Sequence, residues 1–215
     1  LVCLFSLALF PSLSIAKCID CHIPTAIVKK EEPKRVTTLQ EIAVGNARKY
    51  IGTQEKTGNN DGPEVETFLR YVGLPKGNPY CVAFALYNYH IAAEKTKQPD
   101  VFPKLARASL LYKACQKNPF AYKVIPANRV FLGIENLALG DIAIWAHGEA
   151  TGNFAGHGGT IERQIAKNEF DDIEGNTGPG AKGSQREGDG VYRRTRKLDI
   201  GKTFQVVGFI RYIKG

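Results

Sequence analysis

The chain of 215 residues contains no methionine, only four histidines and five cysteines, and fewer acidic than basic side chains, 21 against 29. Without methionine there is no thioether for a haem iron or a copper ion. No apolar run reaches the ~20 residues a membrane-spanning helix needs. Collagen-like, coiled-coil and wholly disordered compositions are excluded by 43% hydrophobic and 23% charged residues, ordinary values for a globule. A domain of ~150 residues buries ~68–70% of its unfolded surface, so no disulfide framework is required. The surplus of basic residues, a formal charge of +8, points to an anionic partner: nucleic acid, a membrane surface or a cell wall.

Residues 1–16 (LVCLFSLALFPSLSIA) are uncharged and end in small residues at Ser14 and Ala16. They read as the apolar part and cleavage site of an export signal, with a basic start expected upstream. Residues 17–37 form a polar tail carrying Cys18, Cys21 and His22. C-x-x-C-H is the haem-attachment pattern, but the charged residues that follow build no apolar pocket. A tail disulfide or free thiols is the expectation, and no cofactor is called for. The domain is expected over 38–215.

Within it, Thr38 and Glu41 form a capping box for a helix running to Ile51. Further helices fit Glu64–Val72, Cys81–Lys95 and Lys104–Lys117. After Gly140 the period changes to two, with strands over 141–146, 157–164, 170–176, 191–197 and 205–213. In the last, alternation puts Val206, Ile210 and Tyr212 on one face and Val207, Phe209 and Ile213 on the other. Helices followed by an antiparallel sheet make an α+β layout.

Three near-misses carry little. Gly175–Ser184 lacks the glycine a phosphate loop places before its lysine. Thr57–Gly62 has threonine where a calcium loop has its first aspartate, so an inter-helix turn is expected and no metal is called for. Arg193, Arg194, Arg196 and Lys197 lie on a strand that splits them between faces, a solvated arrangement rather than a nucleic-acid groove.

Cys81 is different. It follows the turn 77–80 and opens an apolar helix, where the helix dipole favours a thiolate and N–H groups can hold an oxyanion. His157, within Gly156-His157-Gly158-Gly159, is the candidate base. Its glycine neighbours are read as leaving the imidazole accessible to a close-lying substrate. Glu174 and Asn176 share a strand face by alternation, and either could accept from the far imidazole nitrogen. His147 is a weaker candidate, and His90 lies about 13 Å along the Cys81 helix. Cys115 is expected to be packed in its helix and not bridged to Cys81.

Five segments occur in order: Pro79–Phe84, Leu139–Ile142, Gly156–Gly159, Glu174–Thr177 and Glu187–Tyr192. Together they resemble a CHAP domain, a cysteine- and histidine-dependent amidohydrolase or peptidase of the papain-like NlpC group. The resemblance spans roughly residues 39–213. It implies helices packed on an antiparallel five- to six-stranded sheet and cleavage of amide bonds in peptidoglycan peptides. It makes Cys81 the nucleophile, His157 the general base, Glu174 the orienting residue, and Asn176 its helper or a group that polarises the substrate. Tyr80 stands where tryptophan is frequent, and Leu139 where proline is. The expectation is an exported monomer, periplasmic or extracellular, drawn by charge to an anionic wall, with no nucleic-acid partner and no stable membrane insertion. A silent wall-binding module and a secreted antibacterial amidase with an immunity partner are the rival readings. The stretch 95–139 matches no motif and is left to shape the substrate cleft.

Overall fold

The structure, a computed structural model, describes residues 37–179, 188–198 and 204–214. The expected export signal, and the tail with Cys18, Cys21 and His22, lie outside them, as do parts of the Gly175–Ser184 and Glu187–Tyr192 segments. Among the described residues no helix is long and apolar enough to cross a membrane.

Helix α1 (Leu39–Lys49) begins as its capping box dictates. The Glu41 N–H donates to Thr38 Oγ1 at 3.2 Å, and the Thr38 N–H donates to Glu41 Oε2 at 2.8 Å. The segment after it is a turn in which the Thr57 N–H and hydroxyl both donate to the Asp61 carboxylate, each at 2.9 Å. Helix α2 (Pro63–Tyr71) starts on the proline, one residue earlier than periodicity suggests, because its first turn needs no N–H there.

Helix α3 spans Cys81–Lys95, as expected, but is buried on more than one side. Val82, Ala85, Leu86 and Tyr89 join one apolar cluster, while Ala83 and Phe84 join another with Val65, Phe68 and Ile173. A fully buried Phe84 contributes about 1.5–3 kcal/mol, and α3 is the element around which α1 and α2 assemble. Helix α4 (Ala108–Gln116) is shorter than its pattern suggests, since residues 104–107 are not helical.

Two elements were not anticipated: strand β1 (Tyr122–Pro126) and helix α5 (Ala127–Phe131). Five residues ending in proline carry too little alternation to be read as a strand. β1 exists because β6 pairs with it, from Tyr122 opposite Tyr212 to Pro126 opposite Gly208. The remaining strands are β2 (Ile142–His147), β3 (Gly156–Ala166), β4 (Glu169–Thr177), β5 (Gly190–Lys197) and β6 (Phe204–Tyr212). They form one antiparallel sheet in the order β1-β6-β2-β3-β4-β5. The protein is therefore α+β, with a six-stranded open sheet.

The central strand β2 is apolar on both faces. Ile142, Ile144 and Ala146 pack with α3 and α4 residues, whereas Ala143 and Trp145 pack with Ile161, Phe170 and Phe209. Strand β6 departs from simple alternation. Its register against β2 shifts so that Ile144 faces Gly208 but Trp145 faces Val206. This bulge puts Val206 in the cluster of Phe209, and Val207 in that of Ile210 and Tyr212. The two valines thus exchange the faces that period two assigns them.

Candidate active site

Cys81 is the first residue of α3, and Tyr80 before it has non-helical dihedrals and no side-chain cap. The thiol is free and 5% exposed. It lies on the wall of a cleft of about 490 Å³, together with Asn78, His157 and Asn176. Lys104, Leu105, Arg107 and Leu110 also line it, so the motif-free stretch does shape the cleft around Cys81.

His157, on β3 opposite Trp145 of β2, is buried. Its ring sits 5.6 Å from Trp145 and 6.3 Å from Phe204, centroid to centroid. Nε2 lies 2.8 Å from Glu174 Oε2. That contact assigns the far nitrogen to Glu174 rather than Asn176 and leaves Nδ1 for the sulfur, to which the imidazole is hydrogen-bonded. Asn176 lies at an irregularity of β4 with a left-handed φ of 55°, and there it joins the cleft lining.

The glycines around His157 do a different job from the one expected. They do not expose the imidazole, which is 1% accessible. A Cβ on Gly158 would stand 2.8 Å from Val82 Cγ2, and one on Gly159 would stand 2.8 Å from both Asp172 Oδ2 and Glu174 Cγ. Their absence of side chains lets β3 approach the start of α3 on one side and the β4 carboxylates on the other.

Burial alone would push the Cys81 thiol up. The charge of His157, its hydrogen bond, and the N–H groups of Gly158 and Val82 outweigh burial and hold the thiol below its ordinary value. For His157, burial acts downward, but the charges of Cys81 and then Glu174 raise it to about 9. Both shifts favour a thiolate–imidazolium pair at neutral pH. Glu174 is held well below the usual carboxylate range: burial opposes this, and the charges and hydrogen bonds of His157 and Arg196 overcome it.

Arg196 corrects the reading of the basic strand as a solvated face. Its Nε donates to Glu174 Oε1 and its Nη2 to Oε2, each at 2.6 Å, and its side chain is only 12% exposed. Arg194, on the same face of β5, is buried and donates to the Gly178 carbonyl. Arg193, on the opposite face, donates to Glu162 at 2.8 Å. Alternation does split the cluster, but two of its members face a buried carboxylate pair instead of water.

The second carboxylate of that pair is Asp172, fully buried two residues before Glu174. No donor among the described residues meets either of its oxygens. Burial, and next the Glu174 charge, push its pKa well above the usual range and so favour the neutral acid. Neither Arg196 nor Asp172 was anticipated. The available signal was Asp172 and Glu174 at strand spacing, a pair of like charges on one face that needs countercharge. β5 supplies it at the same spacing.

The other candidates lie outside this chain of contacts. His147 lines the cleft with its ring 4.8 Å from that of Phe204. His90 bonds Asp100 at 2.6 Å. Cys115 is unbridged and packed within α4, and burial pushes its thiol up to about 12. A shielded thiol of that kind is inert, whereas Cys81 has the environment of a nucleophile.

No protein-family model matches the chain, and no curated protein matches it.

Proposed function

We propose that this protein is a cysteine hydrolase of amide bonds in peptidoglycan peptides, acting at the cell wall after export. What carries the hydrolase reading is the continuous path from the Cys81 thiol at a helix start, through His157, to Glu174 at 2.8 Å, beside an open cleft. The choice of peptidoglycan rests on the resemblance of the five segments to CHAP domains. The net charge of +8 agrees with an anionic wall, and that attraction weakens with salt.

In the proposed reaction the Cys81 thiolate attacks the amide carbonyl, and N–H groups at the start of α3 hold the developing oxyanion. The C–N bond breaks as the His157 imidazolium passes its proton to the departing amine. Water then attacks the thioester, with His157 taking one of its protons. This releases the carboxylic acid and restores the thiolate–imidazolium pair. Glu174 keeps the imidazole in one orientation throughout, and Arg196 keeps Glu174 ionised.

The test is release of free amines from purified peptidoglycan by the wild-type protein and by Cys81→Ala. The wild type should release them and the variant should not. Equal release by both would sink the proposal. Masses of the fragments identify the amide that is cut.

A further inference from the structure

Among the described residues every arginine side chain but one has a hydrogen-bond or ion-pair partner. Arg48 and Arg193 bond Glu162, Arg163 bonds Asp171, Arg194 bonds the Gly178 carbonyl, and Arg196 bonds Glu174. Arg211 bonds Asp141, Arg129 lies 3.6 Å from Glu135, and Arg70 donates to the Thr67 hydroxyl. The exception is Arg107, and it lines the cleft that holds Cys81.

Beyond Cys81 and the two histidines, the other ionisable side chain lining the cleft with Arg107 among the described residues is basic. Lys104 also lines the cleft, and no aspartate or glutamate among the described residues does. The Lys104 ammonium is already engaged, 4.4 Å above the Tyr71 ring and 3.4 Å from Asp100. Arg107 is also the N-cap of α4, whose first turn holds no acidic residue and no side-chain cap. The positive end of that helix therefore adds to the guanidinium rather than being neutralised. The start of α4 packs against β3 one residue before His157. The Cβ of Ala108 lies 3.2 Å from where a side chain on Gly156 would begin, and His157 is the next residue.

We infer that the α4 side of the cleft is a carboxylate subsite with Arg107 as its principal cation. The scissile amide offered to Cys81 then belongs to a peptide with an acidic group close to that bond. A guanidinium presents two parallel N–H donors that match a carboxylate, which a lone ammonium does not. The inference rests on Cys81 being the nucleophile and adds the charge of what it attacks.

Two haloacetyl reagents separate the two ideas. Iodoacetamide is neutral and reports the thiolate. Iodoacetate carries the carboxylate and reports the subsite. The quantity read is the ratio of their second-order rates at Cys81, divided by the same ratio for free cysteine. The wild-type ratio should exceed that of Arg107→Gln by about fivefold, the scale of one partly exposed charge pair. Arg107→Lys, which keeps the charge but not the paired donors, should keep only part of the preference, Arg107→Glu should lower it below Arg107→Gln, and added salt should erode it in the wild type. A ratio that neither Arg107→Gln nor Arg107→Glu changes, with iodoacetamide still reacting fast, overturns the subsite and leaves the nucleophile standing. Iodoacetamide reacting no faster than with free cysteine overturns the nucleophile, and the subsite falls with it.

Discussion

His157 Nε2 and Glu174 Oε2 are 2.8 Å apart, and both side chains are withdrawn from solvent. At that distance the imidazole N–H donates to a carboxylate that Arg196 holds from its other side. The tautomer is thereby decided, and the lone pair or proton of Nδ1 is directed at Cys81. Four consequences can be measured.

The pH dependence of amide hydrolysis should be bell-shaped. Activity should rise as the Cys81 thiol loses its proton, below the pH at which an ordinary thiol does so. It should fall as pH passes about 9, where His157 loses the proton that the leaving amine needs. Alkylation by iodoacetamide requires no proton donor and should persist beyond that point. The same ionisation contributes to stability. A histidine raised above its ordinary ~6.5 stabilises the fold below that value, and the contribution is lost as pH rises through about 9. An upper limb of activity near the ordinary histidine value would show that the ion pair does not form.

Glu174→Gln should lower kcat by about 10²–10⁴-fold and shift the upper limb to lower pH, because one of the two charges that raise His157 is gone. Arg196→Ala should also lower kcat. It leaves a buried carboxylate without its countercharge and should destabilise the fold by about 3–5 kcal/mol. Urea unfolding beside steady-state kinetics separates the two effects. Wild-type kcat in Glu174→Gln would remove Glu174 from the mechanism.

Asp172→Asn tests the neutral carboxyl. The Asp172 pKa is raised in the fold, so folding becomes less favourable once pH exceeds ~3.9, where the unfolded residue ionises. An asparagine of the same shape carries no charge and has no such penalty. Its melting temperature should match or exceed the wild type at neutral pH, with the gap widening from mildly acidic conditions upward. A lower melting temperature at neutral pH would mean that Asp172 is ionised and needed as an anion.

Gly159→Ala tests the close approach of β3 to β4. The added methyl would stand 2.8 Å from Asp172 Oδ2 and Glu174 Cγ, so these buried side chains would have to shift. Activity should fall sharply by displacing Glu174 from His157, and Gly159→Ala should unfold at lower urea than the wild type. Unchanged kinetics would mean that Asp172 and Glu174 make room for the methyl without disturbing the site.

Features encoded within a few residues were legible in the chain. Thr38 and Glu41 mark the start of α1 because a capping box closes over one turn. Cys81 after the turn at 77–80 marks the start of α3. The period of two after Gly140 marks strands, and its helix-then-sheet order marks the α+β class. Features that depend on a partner far along the chain were not. β1 is a strand because β6 lies beside it. The bulge at Val207 exists only in the register of β6 against β2.

The same division runs through the site. The residue types and their order already singled out Cys81, His157 and Glu174, because a thiol at a helix start, a histidine among glycines and a carboxylate on a strand are local facts. Which imidazole nitrogen meets Glu174, how Arg196 holds it and why Asp172 is pushed towards its neutral form were decided by tertiary structure. A buried charge takes its meaning from the countercharges packed against it, and the nearest one to Glu174 stands 22 residues further along the chain. What the glycines beside His157 are for was decided there as well: room for neighbouring elements, which only the assembled sheet and helix can require.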